Sequence, residues 1–350
     1  MNKKAINAVI SKKINDWVGS IKDEKLQKQV RKGVIVTGGC ITSLLLNEEV
    51  NDFDLYFKDK ETLKAVCQYY AGVFNEANQG KLNKPGKKLH AWVLDGEDVA
   101  LWKDGKKDLS SFAYDYPDIP YKDVERSPQE YKRVSVMVYN TPPDRLKMII
   151  NSDGVAEDSD SKADAVEYDV PNYMEAMNDA DNIPAETVET KEKYRPIFLS
   201  TNAITLSGKI QIVVRFYGAP DEIHKNYDFV HATNYWTENT GVVLNQPALE
   251  AILNKNLSYI GSKYPVCSLV RTRKFIKRGW HINAGQFVKI AFQISELDLK
   301  DIAALEDQLV GVDSVYFLNF INNLKNKKLE DPKFELTQDY LTTVIDKIFG

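Results

Sequence analysis

The segment from Val34 to Phe57 constrains this chain more than any other. Val34-Ile-Val-Thr-Gly38-Gly39 is a short β-branched run stopped by two glycines. Cys40 to Leu46 then reads as a helix start, and Asp52-Phe-Asp-Leu-Tyr-Phe57 as a returning strand with alternating sides. A strand, a tight turn, a helix and a second strand so close together need a sheet with helices packed on it.

The flanking patterns extend that reading. Residues 4 to 30 place Ile6, Val9, Ile10, Ile14, Trp17, Val18, Ile21 and Val30 at mostly helical intervals, which predicts an opening helix or helix pair. Glu61 to Ala77 repeats the helical spacing through Leu63, Val66, Cys67, Tyr70 and Phe74. His90 to Leu94 and Val99 to Trp102 read as a hairpin turning through Asp95-Gly96-Glu97, and Tyr131 to Tyr139 as another strand. Ile197 to Leu206 and Lys209 to Tyr217 form a further expected hairpin about Ser207-Gly208. Gly218 to Glu222 starts a short helix, and Tyr227 to Ala232 begins a strand. After Pro247 the periodicity becomes helical over 247–260, 265–278, 284–297, 299–309, 314–324 and 338–349. The expectation is therefore α+β. A helical segment at 1–32 leads into a mixed α/β domain at 33–240, followed by an all-helical C-terminal domain at 241–350.

Charge is unevenly distributed within the 350 residues. The formal total of -4 conceals residues 151 to 192, where 13 Asp or Glu accompany two Lys, so the rest of the chain carries +7. That acidic stretch has few large apolar residues and reads as a surface insertion or disordered lid spanning about 151–193. As a lid it would compete with phosphate for basic side chains, and deleting 155–190 would raise nucleotide or RNA affinity at low salt. Three separated cysteines, Cys40, Cys67 and Cys267, fit a reducing compartment and exclude a disulfide framework or cysteine zinc site. No apolar run approaches the roughly 18 to 20 residues needed to span a bilayer, and the N-terminus lacks a signal-peptide pattern. A cytoplasmic location follows, or a virion if the chain is phage-encoded.

The same segment carries the candidate chemistry. Two glycines between a strand and a helix let backbone N–H groups approach a phosphate at the positive helix end. Asp52 and Asp54 stand one pleat apart on one face, an arrangement suited to hard cations such as Mg²⁺. Ser43, one turn into the helix, is a candidate phosphate contact or an ordinary helix residue. Each half has a plain rival, since a Gly-Gly turn also marks any tight strand–helix junction and DxD occurs on exposed strand faces.

Thr37-Gly38-Gly39, the spacer and Asp52-Phe53-Asp54-Leu55 together resemble the signature of the DNA polymerase β-like nucleotidyltransferase superfamily, in the CCA-adding and poly(A)-type form. Phe198 to Leu206 looks like the strand that follows the catalytic pair in those enzymes, and Asp228 in Tyr227-Asp228-Phe229 best matches their third carboxylate. The resemblance covers about 65 residues in two blocks, and the long gap between them departs from compact members.

What the resemblance implies is Mg²⁺-dependent transfer of a nucleotide from an NTP to a hydroxyl of RNA, tRNA, protein or a small molecule. Asp52 and Asp54 would hold two metal ions, Asp228 would hold one and help deprotonate the acceptor, and Gly38-Gly39 would receive pyrophosphate. Arg271, Lys274 and Arg278 form one helical stripe where triphosphate or nucleic acid could lie, or a solvated basic face. Lys81, Lys84, Lys87 and Lys88 form a basic loop that could hold an acceptor. Other chemistries fit poorly, because Gly80 to Lys88 lacks P-loop spacing, the four histidines lack HExxH spacing and GxSxG is absent. On a strand, His231 would face away from Asp228 and read as packed or surface.

Two further functions remain open on the sequence. One is a non-catalytic descendant serving as a phage virion component or interaction module. The Asn- and Lys-rich composition and the Tyr-Asp-Phe block loosely resemble phage nucleotidyltransferase-like proteins. The other is a toxin-type enzyme paired with an antitoxin. An intact DxD favours catalysis, because two neighbouring like charges are costly to keep without a use.

Overall fold

In a computed structural model, residues 1–80, 90–106, 141–150 and 193–309 are described, with 324, 327, 328, 330, 331 and 333–349 beyond them. The expected strand at 131–139, the basic loop at 81–88, the acidic segment at 151–192 and nearly all of the expected helix at 314–324 lie outside these residues. The chain divides into two compact units, Met1–Pro220 with Tyr235–Val243, and Asp221–Asn234 with Leu244–Gly350.

Helices α1 (Lys3–Ser20) and α2 (Glu24–Gly33) open the first unit. The Asn2 side chain caps α1, and Asp23 caps α2 through the Lys25 and Leu26 amides. Ile6, Ile10, Ile14, Trp17 and Ile21 recur on one face and are buried, each such side chain contributing about 1.5 to 3 kcal/mol by leaving water. Val9, expected in this stripe, is instead exposed, because it lies about 100° from Ile10 around the helix. Trp17 donates its indole N–H to the Tyr70 hydroxyl at 2.7 Å, which satisfies the one polar group that so large a buried ring carries.

A seven-stranded sheet forms the rest of this unit's frame, in the order β5-β6-β7-β2-β1-β8-β9. Its strands are β1 (Val34–Thr37), β2 (Phe53–Phe57), β5 (Pro196–Ser200), β6 (Ala203–Leu206), β7 (Ile210–Val213), β8 (Tyr235–Thr237) and β9 (Gly241–Val243). All neighbouring pairs are antiparallel except β2–β7, which is parallel. The expected strand over 197–206 is two strands, because Thr201 and Asn202 turn the chain between β5 and β6. Ser207 and Gly208 make the expected turn into β7.

Helices α3 (Gly39–Leu46) and α4 (Lys60–Ala77) pack on β2. β3 (Ala91–Asp95) pairs with β4 (Leu146–Ile150) as a separate two-stranded sheet. The expected second arm of the 90–102 hairpin is instead helix α5 (Gly96–Lys103). Asp95 caps it at the Glu97 amide, and Glu97 and Asp98 place negative charge in its first turn, so local capping overrides the hairpin pattern.

The second unit is helical. It holds α6 (Pro220–His224, with Pro220 assigned to the first unit), α7 (Gln246–Leu253), α8 (Pro265–Lys277), α9 (Ala284–Ser295), α10 (Ile302–Leu309) and α11 (Gln338–Phe349). Residues 227–232 do not form the expected strand. They make a single bridge, Phe229 to Tyr259, and then a 3₁₀ turn at Val230–Ala232. The architecture is thus mixed α+β, a seven-stranded mixed sheet flanked by helices with a helical C-terminal region. Among the described residues no helix is long and apolar enough to cross a membrane.

Candidate functional site

The glycine turn and the two aspartates meet at one end of the β1–β2 pair. Thr37, the last residue of β1, is the register partner of Asp54, and Asp54 is in turn opposite Gln211 on β7. Gly38 caps α3 with φ +96° and ψ -153°, a conformation essentially confined to glycine. Gly39 is different. It has helical geometry, is exposed, and a Cβ there would meet nothing within 4 Å. Space therefore opens directly above the first turn of α3.

Asp54 is half-buried, and Asp52 is exposed one residue before the strand begins. Cys40, in the first turn of α3, records how close both lie. Burial raises its thiol well above the ordinary range, and the negative fields of Asp54 and then Asp52 raise it further. The buried thiol is therefore protonated and is no nucleophile.

The loop that delivers Asp52 is tied to the β6–β7 turn. Lys209 donates to Glu49 Oε1 at 2.8 Å and to the Val50 carbonyl at 3.2 Å, and the Phe53 amide donates to the Lys209 carbonyl at 2.8 Å. The Lys209 hydrogen bond and charge hold the Glu49 carboxyl below its usual range. Ser43 lies buried within α3.

The remaining expected site residues belong to the second unit. Asp228 is buried, accepting from the Phe229 amide at 3.0 Å and from Arg271 Nη1 at 2.8 Å. Thus two residues assigned separately, one to metal and one to phosphate, are each other's partner. Lys274 is exposed, and Arg278 is half-buried near His231. His231 is buried between Trp280 and Phe275, with ring centroids at 4.3 and 4.8 Å. Burial lowers its pKa to about 4 despite the opposing pull of Asp228, and Arg278 adds to the lowering. Residues 230–232 form a 3₁₀ turn with no strand faces, and His231 is packed within it.

Asp52 and Asp54 offer hard oxygen ligands of the kind a divalent cation takes. Among the described residues, no group of three or more His, Cys, Asp or Glu side chains that could hold a metal occurs.

Sequence reasoning missed a charged cluster in the first unit. Asp95, buried at the end of β3, accepts from Lys60 at 2.7 Å and from Lys64 at 2.6 Å, joining α4 to β3. Burial raises its pKa, but the two lysine hydrogen bonds and the Glu97 amide outweigh that and leave it lowered. The available signal was Asp95-Gly-Glu-Asp98, which reads as a helix cap as readily as a turn. Gly96 is obligatory there, since a Cβ would fall 1.6 Å from the Pro142 carbonyl oxygen. A cavity of about 560 Å³ lies elsewhere in this unit, lined by Lys3, Lys4, Asn7, Ser11 and Trp236 among others, and contains none of the expected site residues.

Comparison with known families corrects the resemblance drawn from the Gly-Gly and DxD segment. Over residues 8–255 the chain matches the family Gad2, Gabija anti-defense 2 family protein, which is not a nucleotidyltransferase family. No curated protein and no solved structure matches the chain.

Proposed function

Because the chain belongs to the Gabija anti-defense 2 (Gad2) family, we propose that it is a phage-encoded protein that disables the Gabija defence of a bacterial host by binding a protein of that system in the host cytoplasm. One observation carries this reading: the family match runs from residue 8 to 255, well over half of the chain. It favours an interaction protein, whose partner is a host defence component, over a virion part or an antitoxin-paired toxin. The test is infection of Gabija-bearing cells with and without the expressed chain, together with co-purification of tagged chain and Gabija proteins. Restored plaque formation and a recovered complex are expected. Unrestored plaques at full expression would discard the anti-defence role, and restoration without any complex would discard the binding mechanism.

A second reading is favoured by the placement of Asp52 and Asp54 beside Gly38 and the open space at Gly39. In it the protein acts on a nucleotide or its polyphosphate, transferring a nucleotide from an NTP to a hydroxyl acceptor. Asp52 and Asp54 would hold a divalent cation, which when bound neutralises phosphate charge. The first turn of α3 would supply N–H donors to a phosphate oxygen. Mn²⁺ binding followed by electron paramagnetic resonance, with Asp54→Ala as comparison, tests the site apart from any activity. A signal unchanged by the substitution removes the reading, and infection assays with the same variant show whether anti-defence depends on it.

A further inference from the structure

The second unit carries a surface to which neither reading under the proposed function assigns a role. From residue 251 to 295 the chain has eight Lys or Arg and no Asp or Glu, in a protein that is acidic overall. This stretch contains α8 and α9, which pack against each other. On α8, Leu269, Val270, Arg273, Lys274, Ile276 and Lys277 are all exposed. At 100° per residue these six fall within about half of the helix circumference, so cations and branched aliphatics share one face. Helix α9 adds Val288, 51% exposed, and Phe292, 70% exposed.

A solvated helix face has no reason to hold large apolar side chains in water. Scattered single residues are ordinary, but five on two packed helices, set among cations without one carboxylate, have the composition of an interface. We propose that this α8–α9 face is the docking surface for an acidic protein surface with apolar side chains of its own, carried by the Gabija component bound under the reading above. Charge complementarity selects the partner: a face with Arg273, Lys274 and Lys277 exposed, on a stretch with no carboxylate, steers toward a negative surface and rejects a positive one. The aliphatics and Phe292 favour a protein over a nucleic acid, because phosphate contacts need cations and hydrogen-bond donors, not branched aliphatic side chains. The face lies beyond the residues that carry the family match, so its assignment rests on its own composition. Arg271, committed to Asp228, is not part of it.

Two variants of the full chain test the proposal against purified Gabija proteins by titration calorimetry: R273E/K277E, and Phe292→Ser. Circular dichroism and melting temperature check that each folds like the parent, and Val288→Ser replaces Phe292→Ser if it does not. Each variant is expected to weaken binding at least tenfold, with salt weakening the parent more than R273E/K277E. Parent-like binding by both folded variants overturns this face as the dock while leaving the proposed function standing. No binding by the parent overturns the proposed function and the partner named here together. Random-sequence RNA or DNA that binds the parent, is lost with R273E/K277E and is unaffected by Phe292→Ser overturns the protein-docking assignment in favour of a nucleic-acid surface.

Discussion

Arg271 reaches from α8 to Asp228 at 2.8 Å, joining two segments of the second unit that lie 43 residues apart. The aspartate also accepts from the Phe229 amide, so its loss removes an acceptor from both a guanidinium and a backbone donor. Asp228→Ala should cost about 1 to 3 kcal/mol, read by urea unfolding of the full chain. A change below about 0.5 kcal/mol would show that the pair is not structural.

The Lys60–Asp95–Lys64 cluster should appear in the acid limb of stability. The folded Asp95 carboxyl titrates below its ordinary value, so its contribution is complete above roughly pH 4 and is lost as pH falls through the folded pKa. Asp95→Asn should therefore lower the melting temperature at pH 6, and the gap to the parent should close toward pH 2. A constant gap across that range would contradict the assignment.

His231 predicts a loss on acidification too, but over a higher pH window. With a folded pKa of about 4 against an unfolded value near 6.5, the unfolded chain binds the extra proton between those limits. Stability should therefore fall as pH drops from 6.5 to 4, by up to about 3 kcal/mol. Unfolding of His231→Leu at pH 4.5 and pH 7 should show that slope reduced.

The two glycines of the turn should separate cleanly. Gly38→Ala forces a side chain into a glycine-only conformation and should cost about 1 to 3 kcal/mol. Gly39→Ala, exposed and helical with open space at the Cβ position, should change stability by less than about 0.5 kcal/mol. If a ligand approaches α3, Gly39→Ala should reduce its binding despite normal melting, as calorimetry with an NTP and Mg²⁺ would show.

Much of the local structure was legible because local chemistry decides it. The β-branched run into Gly38, the helical spacing of Leu63, Val66, Cys67 and Tyr70, and Pro265 at the start of α8 all lie where their patterns place them. What sequence could not supply was pairing at a distance. Nothing in Tyr235-Trp-Thr237 says that it adds to β1, nor that β7 lies parallel to β2, because those choices depend on which faces remain uncovered once the sheet forms. The ion pairs were invisible for the same reason, since Asp228 and Arg271 are each unremarkable until the fold brings them together. Resemblance failed differently. A short turn and two carboxylates pointed to one family, whereas the match over most of the chain assigned another.

β2 illustrates a consequence for assembly. Both of its neighbours are needed to fix Asp54, yet β1 immediately precedes it while β7 is made more than 150 residues later. During synthesis the aspartate strand is therefore an open edge until the chain beyond Val213 emerges and closes over it in parallel register. Everything encoded between Lys58 and Lys209 is, for that strand, an excursion whose two ends are pinned by Phe57 and Phe53. Within that excursion α4 packs on β2 and β6 pairs with β7, so the intervening chain builds the frame against which the late strand closes.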